Sequence, residues 1–116
     1  MNNYLQSILS GQTIRSFLRV LDDYWQIITD TCVINVFTEM YVLDEPSRIK
    51  TVFDSSSMLL FENTMIREVI ELDETKPITI IFDGAKSIKI QPIQEDDSIL
   101  ERMTLFFNDG RIVVIY

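Results

Sequence analysis

The sequence contains no histidine and a single cysteine. Without histidine, the commonest general base and metal ligand are missing, and so is every Ser–His or Cys–His nucleophile pair. The lone Cys32 excludes an intrachain disulfide and a multi-cysteine zinc site. No basic residue stands beside it to favour a thiolate, so it reads as a small packed side chain in a reducing, cytoplasmic setting. The three glycines, Gly11, Gly84 and Gly110, are isolated and sit in turn-like surroundings, so no phosphate-cradling loop is present. Ala85 is the only alanine. The chain is thus poor in the best helix former, and its abundant Ile, Val and Phe suit a pleated sheet. No apolar run approaches the ~20 residues that span a bilayer. The stretch "MNNYLQSILSGQ" has no basic segment, and no signal peptide is read there.

Basic residues are also scarce. Ten Lys and Arg face eighteen Asp and Glu, for a formal charge of −8. A field of that sign repels phosphate backbones and anionic membrane surfaces, so neither nucleic acid nor membrane is an expected partner. A basic protein is. A chain of 116 residues with 47% hydrophobic side chains is read as a single domain, 1–116, able to bury its own core.

What is present is alternation around turns. In "ITIIFDGAKSIKI" (78–90), Ile78, Ile80 and Phe82 alternate, Asp83-Gly84 turns, and Ile88 and Ile90 resume. In "RMTLFFNDGRIVVIY" (102–116), Asn108-Asp109-Gly110 divides two alternating runs. Weaker versions occupy 24–37, around Thr29-Asp30-Thr31, and 48–61, around Asp54-Ser55-Ser56-Ser57. Aligning 48–61 with the last hairpin at an offset of 54 sets Phe53 on Phe107 and Met58 on Ile112. Aligning 24–37 with 78–90 sets Asp30 on Asp83 and Ile34 on Ile88, and upstream Ile14 and Arg15 meet Ile66 and Arg67. This predicts an internal duplication of a five-strand unit, with pseudo-repeats 1–62 and 63–116.

Two readings compete over 44–54: a helix opened by Asp44, or a strand from about residue 48, which Thr51 and Val52 favour. A short N-terminal helix is expected over 4–11, stopped at Gly11, and another turn over 96–103, capped by Asp97 or Ser98. The last hairpin is apolar on both faces, with Phe106 beside Phe107 and Val113 and Ile115 beside Val114. Its strands therefore lie between two layers, or a partner covers one face. The predicted fold class is mainly β (β-dominant α+β). Eight to ten short antiparallel strands in hairpins form a sandwich or barrel.

For function, the carboxylate runs Glu71, Asp73, Glu74 and Glu95, Asp96, Asp97 stand out. They lack the spacing and glycine of a calcium loop, so no metal or cofactor is expected, and no enzyme activity. Tyr24 and Trp25 are adjacent, so on a strand they face opposite sides, one of them to the core. Either suits an aromatic anchor for a partner. Tyr4, Tyr41 and Tyr116 are further candidates for interface positions. Arg15 and Arg19 share a predicted strand and make either a small basic spot or cross-strand salt bridges. The reading is a non-enzymatic acidic protein-interaction domain. Its sharper form is an inhibitor of the immunity or antitoxin type, which presents carboxylates to a basic partner. The alternatives are a small-ligand-binding β-barrel and an assembly subunit. The latter would be a homodimer through the edge strand 111–116.

Overall fold

Tight polar turns fold the apolar runs back on themselves, and ten strands result. In a computed structural model that describes residues 4–44, 48–94 and 99–116, they are β1 (Ile14–Val20), β2 (Tyr24–Thr29), β3 (Cys32–Val36), β4 (Met40–Asp44) and β5 (Ile49–Val52), then β6 (Ile66–Ile70), β7 (Ile78–Phe82), β8 (Lys86–Ile90), β9 (Met103–Phe107) and β10 (Ile112–Ile115). Two short helices, α1 (Tyr4–Leu9) and α2 (Met58–Phe61), precede β1 and β6. The strands form two antiparallel five-stranded sheets, ordered β1-β2-β3-β9-β10 and β5-β4-β8-β7-β6. The expected β-rich, sandwich-like architecture is thus present, and no helix among the described residues is long and apolar enough to cross a membrane.

The two halves repeat one another across a pseudo-twofold axis. Each half builds three strands of one sheet and contributes two to the other. The axis passes beside an isolated bridge between Thr13 and Met65. Around it the hydrogen bonds are reciprocal: Gly11 N donates to Ile66 O (2.8 Å) and Asn63 N to Ile14 O (2.7 Å), while Ile14 N donates to Thr64 O (2.9 Å) and Ile66 N to Gln12 O (2.8 Å). Gly11 (φ +86°) and Asn63 (φ +64°) hold the same left-handed corner after α1 and α2. A bulge interrupts β1 at Arg15 and β6 at Arg67. Each bulged arginine reaches the aspartate of the neighbouring hairpin turn, Arg15 to Asp30 at 2.6 Å and Arg67 to Asp83 at 3.4 Å.

Two expectations need correction. The hairpin expected over 48–61 has only its first arm, β5; its second arm is α2. Met58, Leu59, Leu60 and Phe61 lack branching at Cβ and suit a helix better than Ile or Val would. Asp54 and Ser57 fix the entry: Ser56 N donates to the Asp54 carboxylate (3.0 Å) and Asp54 N to the Ser57 hydroxyl (3.1 Å). The hairpin belonging to this half is β4–β5, so the 44–54 segment carries a strand, as its β-branched residues favoured. The repeat alignment therefore changes. Met40 meets Met103, 63 positions apart, and Lys50 meets Ile112, 62 apart, rather than 54, because the segment between β8 and β9 is longer than that between β3 and β4. The turn expected over 96–103 falls partly outside the described residues; of its described part, 99–102 is irregular and Met103 opens β9.

Inward positions alternate as a sandwich requires: Trp25 and Ile27 on β2, Ile34 and Val36 on β3, Ile78, Ile80 and Phe82 on β7 are all buried. Burying each of these side chains contributes about 1.5–3 kcal/mol. A row of rings crosses this core. Phe53 touches Phe17 and Trp25, each at 4.9 Å between centroids, and Phe61, which packs on Phe82 at 4.8 Å. Cys32 is buried beside Thr29, and burial pushes its thiol pKa up, as an inert packed cysteine requires.

A candidate binding cleft and its filled counterpart

The row of rings surfaces at one end of the sandwich. There Trp25, Phe37, Met40, Phe53 and Met58 line a cleft of about 690 Å³, rimmed by Arg19, Asp22, Asp23, Glu39 and Asp54. The cleft is open because the β1–β2 turn is short. Residues 21–23 close it, with Leu21 (φ 51°) and Asp22 (φ 53°) in the left-handed region and Asp23 N bonded to Val20 O at 2.8 Å. Trp25 forms the floor, only 9% exposed. The Arg19 guanidinium lies over its ring, 5.4 Å from the centroid, and donates to Asp22 O at 3.1 Å. The rim thus carries four carboxylates against one guanidinium, and that cation is already engaged. Hydrogen bonds from the Ser56 hydroxyl and backbone hold Asp54 below the usual carboxylate range, and Glu39 accepts a bond from the Tyr41 phenol, whose pKa is raised by it.

The pseudo-twofold carries this cleft onto a second one, about 260 Å³, lined by Glu71, Leu72, Asp73, Glu74, Arg102, Val114, Ile115 and Tyr116. Here the turn after the leading strand is seven residues long, 71–77, against three at 21–23. Glu39 is replaced by Arg102 and Arg19 by Glu71, so the charges are exchanged. The longer loop folds over Arg102, which is 1% exposed. Its guanidinium donates to Lys76 O (2.9 Å) and Glu74 O (2.6 Å). Burial lowers the Arg102 pKa, while Glu71, Asp73 and Glu74 oppose that shift. Burial raises the Glu71 pKa, against a backbone N–H from Leu5 and the charge of Arg102. Asp73 is held low by the Thr75 hydroxyl and amide.

Of the residues singled out from sequence, Trp25 reaches the open cleft. Tyr24 faces the opposite side of β2 and packs on Phe37, the tilted rings 5.0 Å apart between centroids. Glu71, Asp73 and Glu74 gather around an internal cation, and Glu95, Asp96 and Asp97 lie outside the described residues. Arg15 and Arg19 do not form one basic spot: the bulge resets the alternation between them, and each has its own partner. The carboxylates of the open rim, Asp22, Asp23, Glu39 and Asp54, were missed. The only local signal was the Asp22-Asp23 pair at a tight turn; Glu39 and Asp54 arrive through the fold from the segments before β4 and after β5. Among the described residues no group of three or more Cys, Asp or Glu side chains is placed to hold a metal ion.

No family model matches the sequence, and no curated protein or solved structure matches the chain. The geometry of the cleft therefore carries the functional argument.

Proposed function

We propose that the protein is a non-enzymatic acidic interaction domain that binds a basic segment of a protein partner, in the manner of an inhibitor or an immunity or antitoxin protein. The observation that carries this reading is the pair of clefts. One is filled by the chain's own arginine, with carbonyls and carboxylates around the guanidinium. The other keeps an aromatic floor and a rim of carboxylates but has Glu39 where the first has Arg102. Such a cleft suits an arginine or lysine supplied by another molecule, its stem against Phe37 and Met58 and its charge among Asp22, Asp23 and Glu39. An acidic surface of this kind speeds encounter with a basic protein and disfavours nucleic acid and anionic membranes. A cytoplasmic setting belongs to the same proposal and rests on the single buried thiol. A small organic ligand is the second reading, because the cleft volume lies in the range such ligands occupy.

The test is capture of partners on the immobilised protein at low and high salt. A triple variant, Asp22→Asn, Asp23→Asn and Glu39→Gln, runs beside the native protein. An arginine-rich peptide, titrated by calorimetry, gives the affinity. Exposed pairs contribute ~0.2–1 kcal/mol each, so the triple variant weakens binding about 3- to 150-fold and flattens its salt dependence. Equal affinity and equal salt slope for the two proteins defeats the proposal.

A further inference from the structure

We infer that the free edge of β10 is a strand-addition site for an extended, basic-ended segment of a protein partner, on a surface separate from the cleft beside Trp25. Phe107 N donates to Arg111 O (2.9 Å) and Arg102 N to Ile115 O (2.7 Å), so the odd-numbered residues from Arg111 to Ile115 turn their backbone toward β9. Ile112 and Val114 therefore turn N–H and C=O outward, and β10 ends its sheet. Among the described residues nothing pairs with these outward groups.

The other three edges carry devices that discourage pairing. β1 has its bulge at Arg15 and a second arginine, Arg19. β6 has a bulge at Arg67 and lies against α1, where Val69 N donates to the Gln6 side chain and the Ser10 hydroxyl donates to Arg67 O. β5 is the counterpart of β10 across the pseudo-twofold, and it sets Lys50 where β10 has Ile112. β10 holds only Ile and Val, with no charge, proline or bulge. Ile112 is 62% exposed. The edge is unguarded at the position where its counterpart carries a lysine.

Charge selects the occupant. The 114–116 end of the edge adjoins the smaller cleft, where Glu71, Asp73 and Glu74 stand against the single guanidinium of Arg102 and leave that end net acidic. At the other end Arg111 is closed on its own Asp109 at 2.9 Å. A second copy would therefore bring no free cation to those carboxylates, and each copy carries −8. A strand antiparallel to β10, the more stable pairing, sets its N-terminal end beside 114–116. The segment that fits begins with arginine or lysine and continues in alternating apolar residues. Its backbone supplies the ladder bonds, and its basic end fixes register and direction.

A displayed library of random linear peptides tests this, selected on the immobilised native protein and on the triple variant Asp22→Asn, Asp23→Asn and Glu39→Gln. Both select peptides with a basic N-terminal end and alternating apolar residues. With an enriched peptide bound, amide hydrogen exchange slows at Ile112 and Val114. Val114→Pro removes an outward donor, breaks no bond to β9 and changes no charge. It weakens the peptide at least about tenfold while circular dichroism stays native. Ile112→Lys, which copies the guard of β5, has the same effect. Glu74→Lys weakens binding about 2- to 10-fold, and less at high salt. Peptides lost in the triple variant but indifferent to Val114→Pro would belong to the cleft beside Trp25; they would overturn this inference and leave the other reading standing. Native dimers abolished by Val114→Pro would give the edge to a second copy and overturn it too. So would a selection that yields no peptide sensitive to Val114→Pro.

Discussion

Replacing Arg102 with methionine tests whether the loop 71–77 is held by one buried guanidinium. Methionine keeps much of the stem and its packing but removes both donors. The side chain makes two charge-assisted bonds, to Lys76 O and Glu74 O, in a site 1% exposed. Bonds of this kind contribute about 1.5–3 kcal/mol each when the partner would otherwise be buried and unpaired. The loop is free to turn its carbonyls toward water once the guanidinium is gone, which recovers part of the loss. The expected cost is about 2–4 kcal/mol, read as a lower urea midpoint at unchanged slope. For a domain of this size that lowers the melting temperature by roughly 8–20 °C. Arg102→Lys restores the charge but cannot span two carbonyls with one ammonium, so it recovers less than half of the loss. A methionine variant as stable as the native protein would refute this reasoning, since buried ions replaced by apolar groups are sometimes neutral. It would show that the loop closes on packing alone.

Phe53→Ala removes the ring that joins Phe17, Trp25 and Phe61, and is expected to cost about 3–5 kcal/mol in chemical denaturation. Glu71→Gln is expected to raise stability slightly, by under ~1 kcal/mol at pH 7, because burial lifts the folded-state pKa of Glu71 above its unfolded value. The native carboxylate is therefore destabilising once ionised, and the gain vanishes as pH falls through the ordinary carboxylate range, where Glu71 is protonated in both states. An advantage that persists at pH 3 would contradict that origin. Asp54→Asn has the opposite sign: the folded-state pKa is depressed, so the aspartate stabilises at neutral pH and the variant's deficit disappears on acidification, as paired melts at pH 7 and pH 3 would reveal. Ala85 occupies the left-handed region (φ 62°) of the β7–β8 turn, so Ala85→Gly is expected to raise stability by about 0.5–1 kcal/mol, seen as a higher melting temperature.

The hairpins were legible where local chemistry decided them. Asp83-Gly84 and Asn108-Asp109-Gly110 sit between alternating runs, and both produced the expected strand pairs. The run Met58–Phe61 was not legible as a helix, because a short apolar stretch reads alike in either form. The turn signal at Asp54-Ser55-Ser56-Ser57 was real, but it opens α2 instead of closing a hairpin. Arg15 on Arg67 and Asp30 on Asp83 were visible as a repeat, and the structure supplies their reason in the bulge and its ion pair. Which strands meet across the halves had no local signature: nothing in β3 names β9 as its neighbour, or in β4 names β8. The open cleft shares that cause, since its rim is assembled from β1, the β1–β2 turn, the segment between β3 and β4 and the segment before α2.

The reciprocal donation of two strands by each half has the geometry of a strand-exchanged dimer fused into one chain. Neither half can complete a five-stranded sheet by itself: β3 waits for β9, and Cys32 finds its backbone neighbour only at Phe107. Closing such distant ladders is slow, on the order of milliseconds to seconds, and leaves β3 and β4 as bare edges until the second half arrives. The same dependence means that two pieces severed between α2 and β6 would have to find one another to acquire any complete sheet, and a chain whose halves paired with those of a neighbour would satisfy every ladder just as well.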